Sequence, residues 1–480
     1  MILGLEPQVN RPNILFMIAD DHRYDALGTI DNSVVSTPNL DALASDGTSF
    51  SHTFIMGSCS PAVCLPSRAM LLAGMGLFKV FDGDVDTSVI SQSGADTSKL
   101  SPDSKPELDI YRVLDESRPL FPEILRNHGY RTYGIGKWHN GPDTYERSFS
   151  GGGSIFFGGM CEHDAVPVHQ FDPDGNYSDV EPQVTNEFST TLFADTAIEL
   201  LDGHDMKDPF CMYVAFTAPH DPRTPPDQYR QMYQDPLMPV SASYMEEPPF
   251  DMGVMGLRDE MLAPRPLTRE TVQEHTAEYF GMITHLDFEI GRLLTKLQNL
   301  GVADDTLVVY TADHGLALGR HGLLGKQNLY DHSVRVPLIM RGPDVPRRQS
   351  LDQMCYLHDL NSTILEYAGI HTDSAVDSKS LLPVIKGHQS THRQQIFSVY
   401  QSVQHVGEED DYQRMIRNDR YKLIRYEVDG KQTIQLFDLD QDPEEMVNLS
   451  NSAAHAEIMT DLLHQLAIMQ SDAEDPIAVV

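Results

Sequence analysis

The segment Cys64-Leu-Pro-Ser-Arg68, followed by Ala-Met-Leu-Leu-Ala-Gly74, predicts a turn and then a short helix. Pro66 fits the first turn of a helix, where its missing N–H has no partner to lose, and Gly74 can end the segment. Cys64 is therefore placed at or just before a helix N-terminus, where free N–H groups favour a thiolate, an oxyanion or a bound anion. Arg68 adds a positive charge one turn later. A buried cysteine beside a capped helix is the alternative interpretation.

Two predicted strands run directly into acidic side chains. The apolar run Asn13–Ala19 is typical of a buried parallel strand and ends in Asp20-Asp21-His22. The strand predicted at Thr306–Thr311 leads into Asp313-His314-Gly315, and a glycine-rich loop containing Lys326 follows. Paired carboxylates at a strand end repel each other and lose hydration, so a divalent cation would stabilise them, although a solvated loop also accounts for such a pair taken alone. Parallel strands ending in acids at one sheet edge can assemble one metal site.

Two further strand ends carry basic or histidine side chains. The strand predicted at Tyr130–Trp138 contains Lys137, and His139 follows two residues later, so both are predicted to share one strand face. Such a pair suits an anion site, while a surface lysine and a core-edge histidine is the alternative. The strand predicted at Phe210–Phe216 is followed by His220, which is placed like a catalytic residue of an open α/β sheet. An ordinary surface turn would also place a histidine there.

The C-x-P-S-R motif resembles the signature of type I sulfatases, and further motifs of that family occur here in the family's order. The similarity extends from about residue 14 to residue 449. The matching elements are Asp20-Asp21 after an apolar strand, the T-P-N-L-D-x-L-A motif at 37–44, G-K-W-H at 136–139, F-x-A-P-H-x-P at 216–222, Asp313-His314-Gly315 with Lys326 and then R-V-P-L at 335–338, and the L-x-D-L-x-x-D-P element with Asn448-Leu449.

The resemblance implies an alkaline-phosphatase-like fold, with a mostly parallel central sheet flanked by helices. The residues themselves support a largely parallel α/β core with a small α+β tail. We predict a catalytic domain at 1–372 and a smaller C-terminal α+β subdomain at 373–480. Within these domains we expect helices at 190–201, 268–300 and 453–470, antiparallel strands at 396–400, 415–426 and 433–439, an irregular segment at 151–159, and cleft-shaping loops at 81–106, 140–170 and 221–266.

The resemblance further implies that Cys64 is a precursor, which a formylglycine-generating maturation enzyme oxidises to Cα-formylglycine. One hydroxyl of the hydrated aldehyde would attack sulfur, and the second would allow sulfate to be expelled. The implied cofactor is a divalent cation, calcium in preference to magnesium. Its implied ligands are Asp20, Asp21, Asp313, His314 and the modified residue at 64. Some family members carry Asn in place of His314.

The family also implies roles for the remaining motif residues. Arg68, Lys137 and Lys326 would offset charge on the transferring group. His220 or Lys326 would protonate the leaving alcohol, and His139 would assist collapse of the sulfated intermediate. We therefore predict a sulfatase, a sulfuric ester hydrolase for an anionic substrate such as a sulfated saccharide. Two alternatives stay open: a phosphonate monoester or phosphodiester hydrolase of the same superfamily, and a non-catalytic binding protein in which Cys64 stays a thiol.

Composition limits the partners of the 480-residue chain. Its 71 acidic and 35 basic residues give a net charge of −36, which argues against binding to nucleic acid or anionic membranes. An anionic substrate therefore requires a local basic pocket. No apolar run is long enough to span a membrane. Residues 1–11 lack the pattern of a signal peptide, so we expect a periplasmic or secreted location if one has been removed and a cytoplasmic location otherwise. Five cysteines do not form a disulfide framework, and the oligomeric state stays open.

Overall fold

The computed structural model describes residues 11–30, 32–81, 114–177, 180–234, 238–371, 376–402 and 411–477. Almost all of the loop predicted at 81–106 lies outside these ranges. The strands are β1 (Asn13–Ala19), β2 (Thr48–Phe54), β3 (Gly57–Ser58), β4 (Arg131–Lys137), β5 (Gly151–Phe156), β6 (Pro167–Val168), β7 (Gln183–Val184), β8 (Phe210–Ala215), β9 (Thr306–Ala312), β10 (Arg335–Arg341), β11 (Gln349–Leu351), β12 (Cys355–Tyr356), β13 (Ile396–Ser402), β14 (Asp411–Arg417), β15 (Tyr421–Val428) and β16 (Lys431–Asp438).

Helices cover the faces of the larger sheet or pack beside the smaller one. The longest, α7, is the amphipathic helix predicted from its apolar stripe, and it begins after Thr268, whose hydroxyl accepts the N–H of Thr271. The helices are α1 (Pro38–Ser45), α2 (Cys64–Ala73), α3 (Phe121–Asn127), α4 (Pro142–Ser148), α5 (Ser189–Gly203), α6 (Asp227–Gln231), α7 (Arg269–Asn299), α8 (Asp331–Val334), α9 (Asp359–Tyr367), α10 (Leu382–Ile385) and α11 (Ala456–Asp472). Within the described ranges, none of them is long and apolar enough to cross a membrane.

The central sheet has the strand order β11-β2-β10-β9-β1-β8-β4-β5, with β12 pairing to β2. Its pairings are parallel except that β10 runs antiparallel to both of its neighbours. The expectation of a mostly parallel sheet is therefore confirmed. β1 lies between β8 and β9, and its side chains from Ile14 to Ala19 are fully buried, which explains its continuous apolar sequence. Because Ala19 pairs with Ala312, Asp20 and Asp313 follow at the same level of the sheet edge.

The helix predicted from the cysteine motif forms as α2 and begins at Cys64 itself. Every residue of α2 is buried, so the motif lies inside the molecule. Gly74 ends the helix with φ of 68°. A Cβ at Gly74 would lie 2.8 Å from the side chain of Asn361, so both the backbone conformation and the close packing require glycine there.

Two predictions of local structure are wrong. The glycine-rich segment at 151–159, predicted to be irregular, contains β5 at the edge of the central sheet, and the presumed loop at 140–170 contains α4 and β5. A Cβ at Gly152 would lie 2.1 Å from the hydroxyl of Tyr145 and 2.3 Å from the carbonyl oxygen of Gly134. Glycine therefore allows this strand to pack closely against its neighbours, which a search for side-chain periodicity does not detect.

The single strand predicted at 415–426 is also wrong, because this segment forms the hairpin β14–β15. Asn418 makes the turn: its side-chain oxygen accepts the N–H groups of Arg420 and Tyr421. The smaller sheet has the order β16-β15-β14-β13-β3, and β3 comes from the segment just before α2. The small sheet therefore includes a strand from the N-terminal half, and the boundary at 372/373 stays a prediction.

The segment that follows the C-terminal helix α11 is held to β14 by a buried ion pair. The Arg414 guanidinium donates through Nε and Nη2 to the two oxygens of Asp475, over 2.5 and 2.9 Å, and both side chains are fully buried. Because removing one partner leaves an uncompensated buried charge, we expect Asp475→Asn to lower the free energy of unfolding by about 3–5 kcal/mol. Urea denaturation measures this loss. Asp461→Asn, at an exposed position of α11, is the control and should change stability little.

Candidate active site

The carboxyl ends of β1 and β9 bring four predicted ligands together. Asp20 and Asp21 follow β1, and Asp313 and His314 follow β9. The N–H of Asp21 donates to Oδ1 of Asp313 over 3.3 Å. Asp21 has φ of 70°, an unusual conformation for a residue with a side chain. The parallel pairing of the two strands, read from their apolar sequences, is what makes these acids neighbours.

A hydroxyl group from α7 supports that unusual conformation. The hydroxyl of Tyr279 donates to the carbonyl oxygen of Asp21 over 2.6 Å and accepts the N–H of Arg23 over 2.7 Å. His22 is fixed between the hydroxyl of Tyr310 and the carbonyl oxygen of Ala26. The backbone that carries Asp21 is therefore held on both sides.

The ligand atoms of Asp20, Cys64, Asp313 and His314 all lie within 4.8 Å of one another and are buried. The Nδ1–H of His314 donates to the carbonyl oxygen of Gly315 over 3.0 Å, so the lone pair of the neutral ring lies on Nε2. Among the described residues no donor reaches Oδ1 of Asp20, and the Nε2 lone pair of His314 faces another acceptor, Oδ1 of Asp21, at 2.9 Å. Buried acceptors without donors are costly, and a cation would satisfy both. The residues therefore fit a metal ion bound mostly by oxygen.

The pKa values of these acids indicate the same need for positive charge. Burial raises the pKa of Asp20 well above its usual value, and the charge of Asp313 adds to the effect while Lys137 opposes it. Burial also raises the pKa of Asp21 to about 7, although Lys326 opposes the rise. For Asp313, burial alone would raise the pKa, but the nearby positive charges, among them Arg68 and Lys137, outweigh it and hold the pKa below its usual range.

Each of the three predicted cationic residues pairs with one of these carboxylates. Lys137 Nζ lies 2.5 Å from Oδ2 of Asp20, and Lys326 Nζ lies 2.9 Å from Oδ1 of Asp21. Arg68 Nε donates to Oδ2 of Asp313 over 2.8 Å. All six side chains are buried. The basic pocket that the sequence requires is therefore built from pairs of opposite charge inside an acidic protein.

Cys64 lies beside His139 at the start of α2. The Sγ atom of Cys64 is 3.4 Å from Nδ1 of His139. Burial opposes ionisation of this thiol, but the charge of Lys137 and other nearby groups outweigh it and lower the pKa of Cys64 to about 7. Burial also lowers the pKa of His139 well below its usual value, and Lys137 adds to this effect. At neutral pH the His139 ring is therefore an uncharged base next to residue 64.

Lys137 and His139 do not share a strand face, so that prediction from the sequence is wrong. Lys137 is the last residue of β4, whereas His139 lies beyond the strand with φ of 62°. The left-handed backbone at His139, not a shared strand face, brings its side chain back to the site. Strand periodicity ends where the strand ends, so it could not predict this turn.

His220 faces the same cluster from the end of β8. Its Nδ1 donates to the carbonyl oxygen of Asp221 over 2.7 Å, so Nε2 faces inward, 3.9 Å from Oδ2 of Asp21. Burial, and then the charge of Lys326, lower the pKa of His220 well below its usual value. His163, which the sequence did not single out, donates through Nε2 to the carbonyl oxygen of His220 over 2.9 Å. The His220 ring is therefore oriented by the carbonyl oxygen of Asp221, and the His220 backbone is held by His163.

The structure brings every predicted site residue into this one buried cluster, while their catalytic roles stay predictions. Sequence reasoning missed several residues that support them, and all of these except Asp221 come from segments with no motif. One signal was present: a carboxylate directly after His220 needs a partner if it is buried. The missed residues are His163, Asp221, Arg258, Asp259 and Tyr279.

Comparisons with known proteins agree on one family. The sequence profile of the family described as Sulfatase matches residues 12–370, and that described as N-sulphoglucosamine sulphohydrolase, C-terminal, matches residues 319–472. An N-acetylglucosamine-6-O-sulfatase of Bacteroides thetaiotaomicron is 25% identical over 530 residues, covering 98% of this chain and 88% of the relative.

Solved structures show the same fold. One, described as a complex with its substrate D-glucosamine-2-N,6-O-disulfate, has a TM-score of 0.78 at 24% identity and covers 97% of this chain and 99% of the other. The phosphonate monoester hydrolase of Agrobacterium radiobacter has a TM-score of 0.73 at 22% identity, with 96% of each chain covered. The expected alkaline-phosphatase-like fold is confirmed.

The raised pKa of Asp21 leads to a prediction for the metal-free protein. The pKa of Asp21 is raised from the ordinary value of 3.8 to about 7, so the folded protein keeps this proton at pH values where the unfolded chain has lost it. The bound proton therefore stabilises the folded state at low pH, and that contribution is lost as the pH rises through 7. A cation must displace the proton below pH 7 but not above it. We therefore expect added Ca²⁺ to raise Tm more at pH 8 than at pH 5.5, as measured by thermal denaturation.

Asp313→Asn, which removes one ligand charge, should reduce the stabilisation by Ca²⁺ at both pH values. Mg²⁺ is the comparison ion and should raise Tm less than Ca²⁺, because Ca²⁺ accepts more carboxylate oxygens and a less regular geometry than Mg²⁺ does. Equal stabilisation by Ca²⁺ at both pH values, or the same response in Asp313→Asn, would contradict a cation at this cluster.

Proposed function

Because the chain belongs to the sulfatase family, we propose that the buried cluster hydrolyses a sulfate ester of a saccharide, using Cα-formylglycine made from Cys64 and one bound Ca²⁺ ion. That the protein is a sulfuric ester hydrolase follows from the family itself. The observation that carries the proposal is the position of Cys64: its Sγ lies within 4.8 Å of ligand atoms of Asp20, Asp313 and His314. A nucleophile derived from residue 64 would thus lie beside the cation.

The saccharide assignment is supported by two named proteins. The relative described as an N-acetylglucosamine-6-O-sulfatase acts on a sulfated amino sugar, and the neighbouring solved structure contains a disulfated glucosamine as its substrate. Sulfated sugars carry their negative charge on discrete groups, which a small pocket of paired cations can bind. The proposal also requires a formylglycine-generating maturation enzyme to supply the modified residue.

When present, the hydrated formylglycine would supply the attacking hydroxyl, and the cation would withdraw charge from the sulfate oxygens. Side chains of the protein itself would stabilise the developing charge and transfer the protons. Lys137 and Lys326 present their ammonium groups to the transferring group, and Arg68 adds a fixed positive charge. Neutral His139, next to residue 64, can take a proton from its oxygen. His220 Nε2, or Lys326, would give the leaving oxygen its proton.

The nucleophile proposal predicts the behaviour of Cys64→Ser. Serine offers one hydroxyl instead of two, so a sulfated serine could not collapse to release sulfate. When wild-type protein produced with the maturation enzyme is active on sulfate esters, we expect Cys64→Ser produced in the same way to lose multiple turnover on them. Mass spectrometry of the peptide containing residue 64 shows whether the cysteine has been converted, and steady-state sulfate release measures turnover.

Full activity in Cys64→Ser, or in a preparation with unconverted cysteine, would contradict the formylglycine proposal. Parallel assays on sulfate monoesters, phosphonate monoesters and phosphodiesters test the remaining enzyme class. A higher kcat/KM for a phosphonate monoester than for every sulfate ester would favour the phosphonate hydrolase instead.

The local basic pocket predicts an unusual salt dependence. The net charge of −36 repels an anionic substrate at long range, and salt screens this repulsion over ~8 Å at physiological ionic strength. We therefore expect moderate salt to leave kcat/KM unchanged or to raise it. Lys137→Ala should lower kcat by roughly 10²–10³, because its charge acts in a buried site. Lys207→Ala, at an exposed lysine, is the matched control. A steep fall of wild-type kcat/KM with salt would contradict the local pocket.

A further inference from the structure

The two candidate proton donors, His220 and Lys326, stand on different loops, and each lies beside a second carboxylate. His220 Nδ1 is 3.4 Å from Oδ1 of Asp221. Lys326 Nζ is 4.0 Å from Oδ2 of Asp259. Both carboxylates are buried. The relative position of the two donors therefore depends on what holds Asp221 and Asp259 together.

One guanidinium bridges these carboxylates. Arg258 Nη1 and Nη2 donate to the two oxygens of Asp221 over 2.5 and 3.1 Å, and Nη2 also donates to Oδ1 of Asp259 over 2.6 Å. Such a forked pairing fixes geometry as well as charge. The resulting chain of contacts runs from His220 through Asp221, Arg258 and Asp259 to Lys326.

The short turn that contains Arg258 also fixes the backbone around Lys326. Oδ2 of Asp259 accepts the side-chain N–H of Gln327 over 2.9 Å. The carboxylate of Glu260 accepts the N–H groups of Leu324 and Gly325 over 2.9 and 2.8 Å. The turn belongs to the proline-rich segment between β8 and α7. A segment outside the sheet is therefore fastened to both loops that carry candidate acids.

We propose that Arg258 is a positioning residue for protonation of the leaving group, an inference that rests on the proposed function. Arg258 holds the loops of His220 and Lys326 at the spacing that is needed to release a poor leaving alcohol. A general acid must reach the bridging oxygen within hydrogen-bond distance, and a displacement of about 1 Å is costly in rate. Without Arg258, the carboxylates of Asp221 and Asp259 would lose their shared partner inside the protein, and the two loops would separate.

This role has a signature that a merely structural role lacks. A sugar alkoxide is a poor leaving group and needs a proton in the transition state, whereas 4-nitrophenolate leaves without one. Misplacing the acid therefore slows hydrolysis of a sugar sulfate and spares 4-nitrophenyl sulfate. General damage to the fold, the metal site or the sulfate pocket would slow both substrates alike.

The experiment compares kcat and kcat/KM of the matured, Ca²⁺-loaded enzyme on N-acetylglucosamine 6-sulfate and on 4-nitrophenyl sulfate. We expect Arg258→Gln to lower kcat on the sugar sulfate by roughly 10²-fold or more, in line with the contribution of a general acid, and to change kcat on the nitrophenyl ester by less than about tenfold. Arg258→Lys keeps the charge but not the fork, so it should recover part of the loss.

Arg230→Gln is the matched control. Arg230 lies in the same segment with a similarly exposed side chain, 38% against 32%, but it pairs with Glu278 on α7 at 3.3 Å. We expect it to leave both substrates unaffected. Equal losses on both substrates in Arg258→Gln, or none on the sugar sulfate, would overturn the positioning role alone. A wild-type enzyme inactive on both sulfate esters would instead overturn the proposed function.

Discussion

Three carboxylates buried at the ends of two adjacent parallel strands are the constraint on which the rest of the site depends. Burial of a charge is costly unless it is paired, and Asp20, Asp21 and Asp313 are each paired with one buried cation. With the three carboxylates ionised, as a bound cation would require, the three positive and three negative charges cancel. The divalent ion that we propose would leave two positive charges in excess, which is what a bound sulfate group requires. The three pairs therefore neutralise the buried carboxylates, and the charge of the proposed ion remains available to bind an anion.

This arrangement explains how so acidic a protein can bind an anion. Charges on the surface act through water and are screened within about a Debye length, whereas buried pairs act in a medium of lower dielectric. The field that a substrate meets inside the pocket is therefore set by the proposed cation and by the buried pairs of Lys137, Arg68 and Lys326 with their carboxylates, and the charge of −36 governs only the approach. Acidic composition excludes a broad basic surface, but it does not exclude a basic site.

The sequence predicted the sheet core and the cluster because both depend on strand ends. β1 and β9 are mostly apolar, so their burial follows from composition, and the acids come directly after them. Contacts made by single side chains from remote segments could not be predicted. The Tyr279 hydroxyl meets Asp21 across 258 positions, and Arg258 meets Asp221 across 37 positions, with no periodicity to signal either. The glycines of β5 led to the wrong prediction of an irregular segment, because they allow close packing between strands and do not mark a chain reversal.

The same contacts that neutralise the site also fix where residue 64 stands. Ser67 Oγ donates to the carbonyl oxygen of Asp313 over 2.6 Å, and Arg68 binds both the carboxylate of Asp313 and the carbonyl oxygen of Lys137. The first turn of α2 is therefore tied to the ends of β9 and β4. A shift of α2 would break a bond to Asp313, a proposed metal ligand, and expose a buried charge. The proposed nucleophile, cation site and anion pocket thus form one unit, and this accounts for a motif in which cysteine, serine and arginine keep a fixed spacing.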